Sequence, residues 1–242
     1  MKKYISNENY FEEIDCDLKA YLLGFFLADG CITMNSGCKN SYKLSINISE
    51  IDKELVKLYQ KTICPNNKII ISNYTKGAVN RKPTWQIKWT SNKMKIDLEK
   101  FNISLRKTND LTFEFPFDKL ETKFHFSFIR GFFDGDGCLS YEKDKIGFKF
   151  LFYATSKLFL EQIGELFQNE FGIKYSISGV KKKNLILYSL SFNSNQKRKS
   201  FIEKVYNKMY TNSEFSLDRK RLKIESYLNT VLNKEIKKSL SV

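Results

Sequence analysis

The feature that most constrains this chain is an apolar stretch that it writes twice. "YLLGFFLADGC" occupies residues 21–31 and "FIRGFFDGDGC" residues 128–138, and aligning them superimposes Gly24 on Gly131, Asp29 on Asp136 and Gly30 on Gly137. The register persists beyond the repeat. After the first copy, "YKLSINIS" (42–49) puts Leu44, Ile46 and Ile48 on one face and Lys43, Ser45, Asn47 and Ser49 on the other, the period of a half-buried strand. "GFKFLFYATS" (147–156) stands at the corresponding place in the second half. Ser49 and Ser156 then hold N-cap positions before the amphipathic segments "EIDKELVKLYQKTI" and "KLFLEQIGELFQNEF", which predicts a helix in each half. A further strand pair ends in "TWQIKWTSN" (84–92) and "LYSLSFNSN" (187–195), each leading through Ser-Asn into a lysine-rich helical stretch. The halves close with "SLRKTNDLTFEFP" and "SLDRKRLKIESY", where Arg106-Lys107 matches Arg219-Lys220. The chain is therefore read as an internal duplication of the order αββαββα, with halves 1–116 and 117–242 joined near "FEFPFDKLE".

Charge narrows the partners. Lys plus Arg number 41 against 27 Asp plus Glu, a net charge of +14 with a pI near 9.4, which favours a polyanion. No apolar run approaches the roughly 20 residues of a spanning helix, and Met-Lys-Lys is not followed by a signal-peptide core, so the expectation is an intracellular protein, in cytoplasm or an organelle matrix, neither secreted nor membrane-bound. Five cysteines without a Cys-x-x-Cys argue against a disulfide framework or a zinc knuckle. The single histidine, His125, rules out a His-rich metal site and reads as an ordinary packed or surface residue at a helix start. Acid-base work then falls to carboxylates, lysines or metal-bound water.

The repeated stretch needs a physical reason for its glycines, because glycine within a helix costs about 1 kcal/mol relative to alanine. Gly24 with Ala28, and Gly131 with Gly135, place two small residues one turn apart and make a strip on which another helix can pack closely. Pairing the two strips brings their C-terminal ends together. Asp29 and Asp136 lie at those ends, where the helix dipole disfavours a negative charge, and the following glycines suit left-handed C-caps. Two carboxylates side by side would also repel. A divalent cation reverses both penalties, and hard oxygen ligands with retained waters suit Mg²⁺, with Mn²⁺ able to substitute. A calcium loop is excluded: counted from Asp134, the sixth position is Leu139 and the twelfth Lys145. No Gly-Lys-Ser/Thr phosphate loop is present either.

The two stretches resemble the paired motifs of the LAGLIDADG homing endonucleases, in the single-chain form that carries both copies. The resemblance runs through essentially the whole chain and implies an α+β fold, a saddle of two pseudo-symmetric αββαββα halves. Antiparallel sheets would form the DNA-binding surface and the two motif helices the central interface. It implies a monomeric, divalent-metal-dependent endonuclease that makes double-strand breaks with short 3′ overhangs in a long double-stranded DNA target. The last acidic residue of each motif carries over to Asp29 and Asp136 as catalytic metal ligands, assisted by the main chain at Ala28 and Gly135. The earlier acidic position differs between copies, being Leu27 in the first and Asp134 in the second, so Asp134 is not taken as a symmetric ligand. Lys107 and Lys220 resemble the family's pocket lysines, and Gly24 and Gly131 its helix interface. Two other functions fit the same resemblance: an RNA maturase assisting the splicing of intron RNA, and a catalytically silent DNA-binding protein.

Base reading is expected from the polar strand faces, because a two-stranded ribbon fits the major groove and long polar side chains reach base edges. The candidates are Lys43, Ser45, Asn47, Gln86, Lys88 and Thr90 in the first half, and Lys149, Tyr153, Ser176, Ser178, Ser189 and Ser191 in the second. The basic hairpin tips "TKGAVNRK", with Lys76, Arg81 and Lys82, and "GVKKKN", with Lys181, Lys182 and Lys183, are expected on phosphate.

Overall fold

In a computed structural model the described residues are 6–38, 40–73, 82–105, 113–141, 148–182, 185–192 and 198–239. They form helices and two separate four-stranded antiparallel sheets. The chain divides into two compact units, residues 1–107 with 116–131, and residues 108–115 with 132–242.

In the first unit the order is α1 (Asp17–Asp29), β1 (Gly30–Met34), β2 (Tyr42–Ser49), α2 (Lys53–Ile63), β3 (Ile70–Ser72), β4 (Thr84–Thr90) and α3 (Asn92–Lys100). The sheet runs β1-β2-β4-β3. Its register places Leu44 opposite Trp89, Ile46 opposite Ile87 and Ile48 opposite Trp85. That row is the inner face, and it meets Leu55, Val56, Tyr59 and Ile63 of α2, all buried, with Tyr59 and Trp89 stacked at 6.2 Å. Burying that face is the main source of stability here, at about 25 cal/mol per Å² of apolar surface. Helix α3 starts where the Ser91 side chain accepts the Met94 N–H, and Met94 in turn receives the Trp89 indole N–H at 3.1 Å.

The second unit repeats the plan and adds a long closing helix beyond the expected αββαββα order. Helix α4 (His125–Asp136) is followed by β5 (Gly137–Tyr141), β6 (Phe148–Ala154), α5 (Lys157–Phe171), β7 (Tyr175–Lys182), β8 (Leu185–Phe192), α6 (Arg198–Met209) and α7 (Asp218–Ser239). The division between units falls within α4, after Gly131. The sheet order β5-β6-β8-β7 reproduces that of the first unit. Its inner face is phenylalanine-rich: Phe133 stacks on Phe150 at 4.3 Å, and Phe167 on Phe192 at 4.8 Å. Ser156 caps α5 by accepting the Phe159 N–H, and Gly172 ends it at φ 66°.

Ser49, expected to cap in the same way, makes no side-chain cap bond. A turn of 3₁₀-helix, Glu50–Asp52, separates it from α2, so the helix begins three residues later. His125 is the first residue of α4, buried, with Nε2 on the Leu120 carbonyl at 2.9 Å, and burial lowers its pKa. The five cysteines are unbridged. Among the described residues no helix is long and apolar enough to cross a membrane.

Candidate metal centre and nucleic-acid interface

Helix α1 is apolar on all sides, and Ala20 to Leu27 are buried without interruption. Within the first unit it packs against the start of α4 with backbone touching backbone. A Cβ on Gly24 would lie 1.9 Å from the Phe128 carbonyl oxygen, and one on Gly131 would lie 2.0 Å from that of Tyr21. The steric reason for the two glycines is therefore reciprocal. An ion pair closes the other end of this contact: Arg130, 2% exposed, donates to Asp17 at 2.5 Å, and Ser127 donates to the same carboxylate at 2.5 Å. The guanidinium also lies over the Tyr21 ring at 5.1 Å.

Asp29 and Asp136 are the last residues of α1 and α4, and both are exposed, whereas Leu27 and Asp134 two positions earlier are buried. Ala28 and Gly135 are half-buried. The expected left-handed caps are absent. Gly30 is extended, at φ −71° and ψ 153°, and it opens β1 as Gly137 opens β5. Both must be glycine for a different reason: a Cβ would meet the Phe26 ring at 2.5 Å, or the Phe133 ring at 2.1 Å. The helix turns straight into a strand, and the preceding aromatic ring fills the space a side chain would need.

Among the described residues no group of three or more His, Cys, Asp or Glu gathers. Each helix end thus offers one exposed carboxylate and main-chain carbonyls. That donor set fits a hard cation that keeps most of its waters and takes phosphate oxygens, as Mg²⁺ does, and does not fit an all-protein cage.

Asp134, fully buried, has another task. Its carboxylate accepts from the Tyr210 hydroxyl at 3.1 Å and from the Leu217 N–H at 2.7 Å, and its carbonyl accepts from Arg219 at 3.0 Å. It fastens the start of α7 to the end of α4. Lys220, 4% exposed, follows from that anchoring: its Nζ donates to the carbonyls of Phe133 and of Gly137, the latter at 2.6 Å, and lies 4.7 Å from the Phe133 ring centroid. Burial drives its pKa down to about 8, against the opposing pull of the Asp134 and Asp136 carboxylates. Lys223 repeats the gesture one turn on, donating to the Leu139 carbonyl at 2.6 Å. Lys107, the first-half counterpart of Lys220, lies outside the described residues. Sequence reasoning missed the roles of Asp134, Tyr210 and Lys223, although a carboxylate inside an apolar run was itself a signal of a buried partner.

Register joins the strand-face residues into rows. In the first sheet Lys43 pairs with Thr90, Ser45 with Lys88, and Asn47 with Gln86, all on the face away from the core. Asn47 and Thr90 are exposed; Lys43, Ser45, Gln86 and Lys88 are half-buried. In the second sheet Tyr153 pairs with Ser189 and then Ser178, while Ser191 pairs with Ser176. Lys149 lies on the same outer face, exposed and opposite Ser140. Lys181 and Lys182 are exposed near the end of β7, Lys82 is exposed just before β4, and Lys76, Arg81 and Lys183 fall outside the described residues.

Residues 123–206 match the family profile of the LAGLIDADG-like domain, and residues 18–80 that of the WhiA LAGLIDADG-like domain. No curated protein matches the chain significantly. Among solved structures, mesophilic variants of the homing endonuclease I-DmoI superpose with a TM-score of 0.50 at 15% identity, over 78% of this chain and 94% of that one. A variant of I-DmoI with its target DNA and magnesium gives 0.50 at 16% identity, over 82% and 98%. Full-length DUF199/WhiA from Thermatoga maritima gives 0.45 at 14% identity, over 97% and 72%. The likeness to I-DmoI is one of fold, a mixed α/β arrangement with two four-stranded antiparallel sheets.

Proposed function

The chain belongs to the LAGLIDADG family and carries two copies of its motif, and from that premise we propose that it is a site-specific DNA endonuclease making double-strand breaks with short 3′ overhangs. One observation carries the reading. In each copy a buried helix ends in a single exposed carboxylate, Asp29 or Asp136, and leads directly into a sheet whose outer face carries polar and basic side chains. Stability gains nothing from an acid at the negative end of a helix dipole.

Asp29 and Asp136 would hold divalent cations, with the carbonyls of Ala28 and Gly135 beside them. The bound cation would supply Lewis-acid polarisation of the scissile phosphate. Lys220 keeps the end of α4 in place and sets a cation beside Asp136, where it offsets the helix dipole and the charge of an incoming phosphate. Lys107 is the matching candidate in the first half. The sheet faces orient the duplex: Lys43, Ser45, Asn47, Gln86, Lys88 and Thr90 on one side, and Lys149, Tyr153, Ser176, Ser178, Ser189 and Ser191 on the other. Lys76, Arg81, Lys82, Lys181, Lys182 and Lys183 would bear on phosphate. The I-DmoI relatives with DNA and with magnesium support double-stranded DNA as the substrate and Mg²⁺ as the ion.

A second reading, DNA binding without cleavage, is favoured by one observation: among the described residues no group of three or more His, Cys, Asp or Glu gathers, so each helix end has one exposed carboxylate only. Selection of cleaved sites from a randomised duplex library with Mg²⁺ decides between them. Cut product that disappears with EDTA and in Asp29→Asn is expected. Selective binding with no cut product in Mg²⁺ or Mn²⁺ would leave the binding function alone.

A further inference from the structure

The duplication aligns the two sheets position by position, and the outer faces then differ in chemistry. Gly30 pairs with Ile46 as Gly137 pairs with Phe152, and Ile46 pairs with Ile87 as Phe152 pairs with Leu190. Ser45 is therefore equivalent to Leu151, Asn47 to Tyr153, Gln86 to Ser189, Lys88 to Ser191 and Thr84 to Leu187. The long amide and the ammonium of β4 have both become serine in β8, and its first threonine has become leucine.

The substituted surface is also poorer in hydrogen-bonding capacity than its composition suggests. Ser176 and Ser191 share a hydrogen bond across the strands at 2.9 Å, as do Ser178 and Ser189. Each pair consumes one of its two hydroxyl protons internally, and a serine is too short to pair with a base edge in two places. Beyond them the ribbon is aliphatic: Leu187 lies opposite Val180, which is 60% exposed, and Leu185 opposite Lys182. Leu151, Leu185 and Leu187 are half-buried on this outer face. By contrast, Asn47 and Gln86 face each other directly in the first sheet, the side chains whose amides can bond adenine at two atoms.

Resting on the proposed DNA-binding function, we propose that the two sheets read their half-sites by different chemistry. The first reads base edges through Asn47, Gln86 and Lys88. The second reads the 5-methyl groups of thymine through Leu151, Leu187 and Val180. Its half-site is accordingly thymine-rich, and its specificity is apolar. The overall positive charge, with Lys149 and Lys182 on the same face, makes duplex DNA the occupant that fits this partly exposed apolar strip.

The central comparison acts on the DNA with the wild-type protein, and two strand-face variants assign the half-site and the position. A site selected from the randomised library is assigned to its sheets by repeating the selection with Gln86→Ala, which relaxes preferences in the first half-site. Thymines are then replaced by deoxyuridine in one half at a time, removing methyl groups and leaving every base-edge hydrogen bond. Affinity is expected to fall about fourfold per contacted methyl in the second half-site, the worth of one buried methylene-sized group, and to change less than twofold in the first. Leu187→Ser should abolish the deoxyuridine effect at its own position. Sequence-specific binding that is indifferent to deoxyuridine in the second half, or equally sensitive in both, overturns this inference and leaves the endonuclease reading standing. Absence of any sequence-specific DNA binding overturns both.

Discussion

Lys220 is a residue whose surroundings strongly alter its chemistry. Its ammonium is buried, bonded to two carbonyls at the end of α4, and its pKa is lowered to about 8 from an ordinary value near 10.5. Between those values the unfolded chain binds a proton that the folded one does not, so stability rises with pH across the window. The charged form costs stability in full below about pH 8, by roughly 3 kcal/mol at 1.4 kcal/mol per unit. In metal-free protein, Lys220→Met should flatten the stability gain that wild type shows between pH 8 and 10.5, as read by urea denaturation. A wild-type profile parallel to that of the variant would refute the assignment. Asp29 and Asp136 are exposed at helix C-termini, where the dipole disfavours a carboxylate. Asp29→Asn should preserve the circular-dichroism spectrum and melting temperature while cleavage falls at least about 100-fold, in line with loss of one electrostatic group at a reacting centre. Equal losses of folding and of cutting would reassign the residue to structure. Asp134 shows why a carboxylate in a motif is not automatically a ligand: both of its oxygens are committed to Tyr210 and Leu217.

At the scale of the element, α1 and the start of α4 approach at their glycines closely enough that a methyl group has nowhere to go. The atoms in the way are carbonyls of Phe128 and Tyr21, which cannot rotate aside as a side chain would. Gly24→Ala or Gly131→Ala should therefore cost about 1–3 kcal/mol of stability by overpacking, even though alanine is the better helix former. Chemical denaturation with an unchanged m-value would show it, whereas a stabilised variant would show that the helices separate freely. The Asp17–Arg130 pair belongs to the same contact. Asp17→Ala removes the carboxylate paired with a buried guanidinium and should destabilise by about 3 kcal/mol, while the double change Asp17→Leu with Arg130→Met should recover most of the loss. A thermodynamic cycle on the four proteins measures the coupling. The alternating residues of β2 and the apolar period of α5 marked those elements in the sequence, because one face of each is buried and the periods of two and 3.6 follow from backbone geometry. The conformation of Gly30 was not legible in the same way. A glycine after a helix reads as a left-handed cap, and the ring of Phe26 that requires it instead lies four residues back and is brought there by packing.

For the whole molecule the net charge of +14 sets the expectation for binding. If some 6–10 phosphates are neutralised, affinity for the selected duplex should fall by about 10³ to 10⁵ between roughly 50 and 200 mM salt, linearly in the logarithm of concentration. A flat salt profile in a titration followed by fluorescence anisotropy would contradict the phosphate contacts assigned to the hairpin-tip lysines. The order of elements in both halves, the two acidic helix ends and the polar strand faces were determined by the sequence alone, because each rests on local periodicity and on a repeat that compares one copy with the other. Tertiary structure decided which charged groups are buried, which serines pair with each other, and where the aliphatic strip of the second sheet lies. The buried charges depend on partners 83 residues away, as with Asp134 and Leu217 or Lys220 and Gly137, and the serine pairs and the strip depend on the register of β8 against β7, neither of which a pattern confined to neighbouring residues encodes.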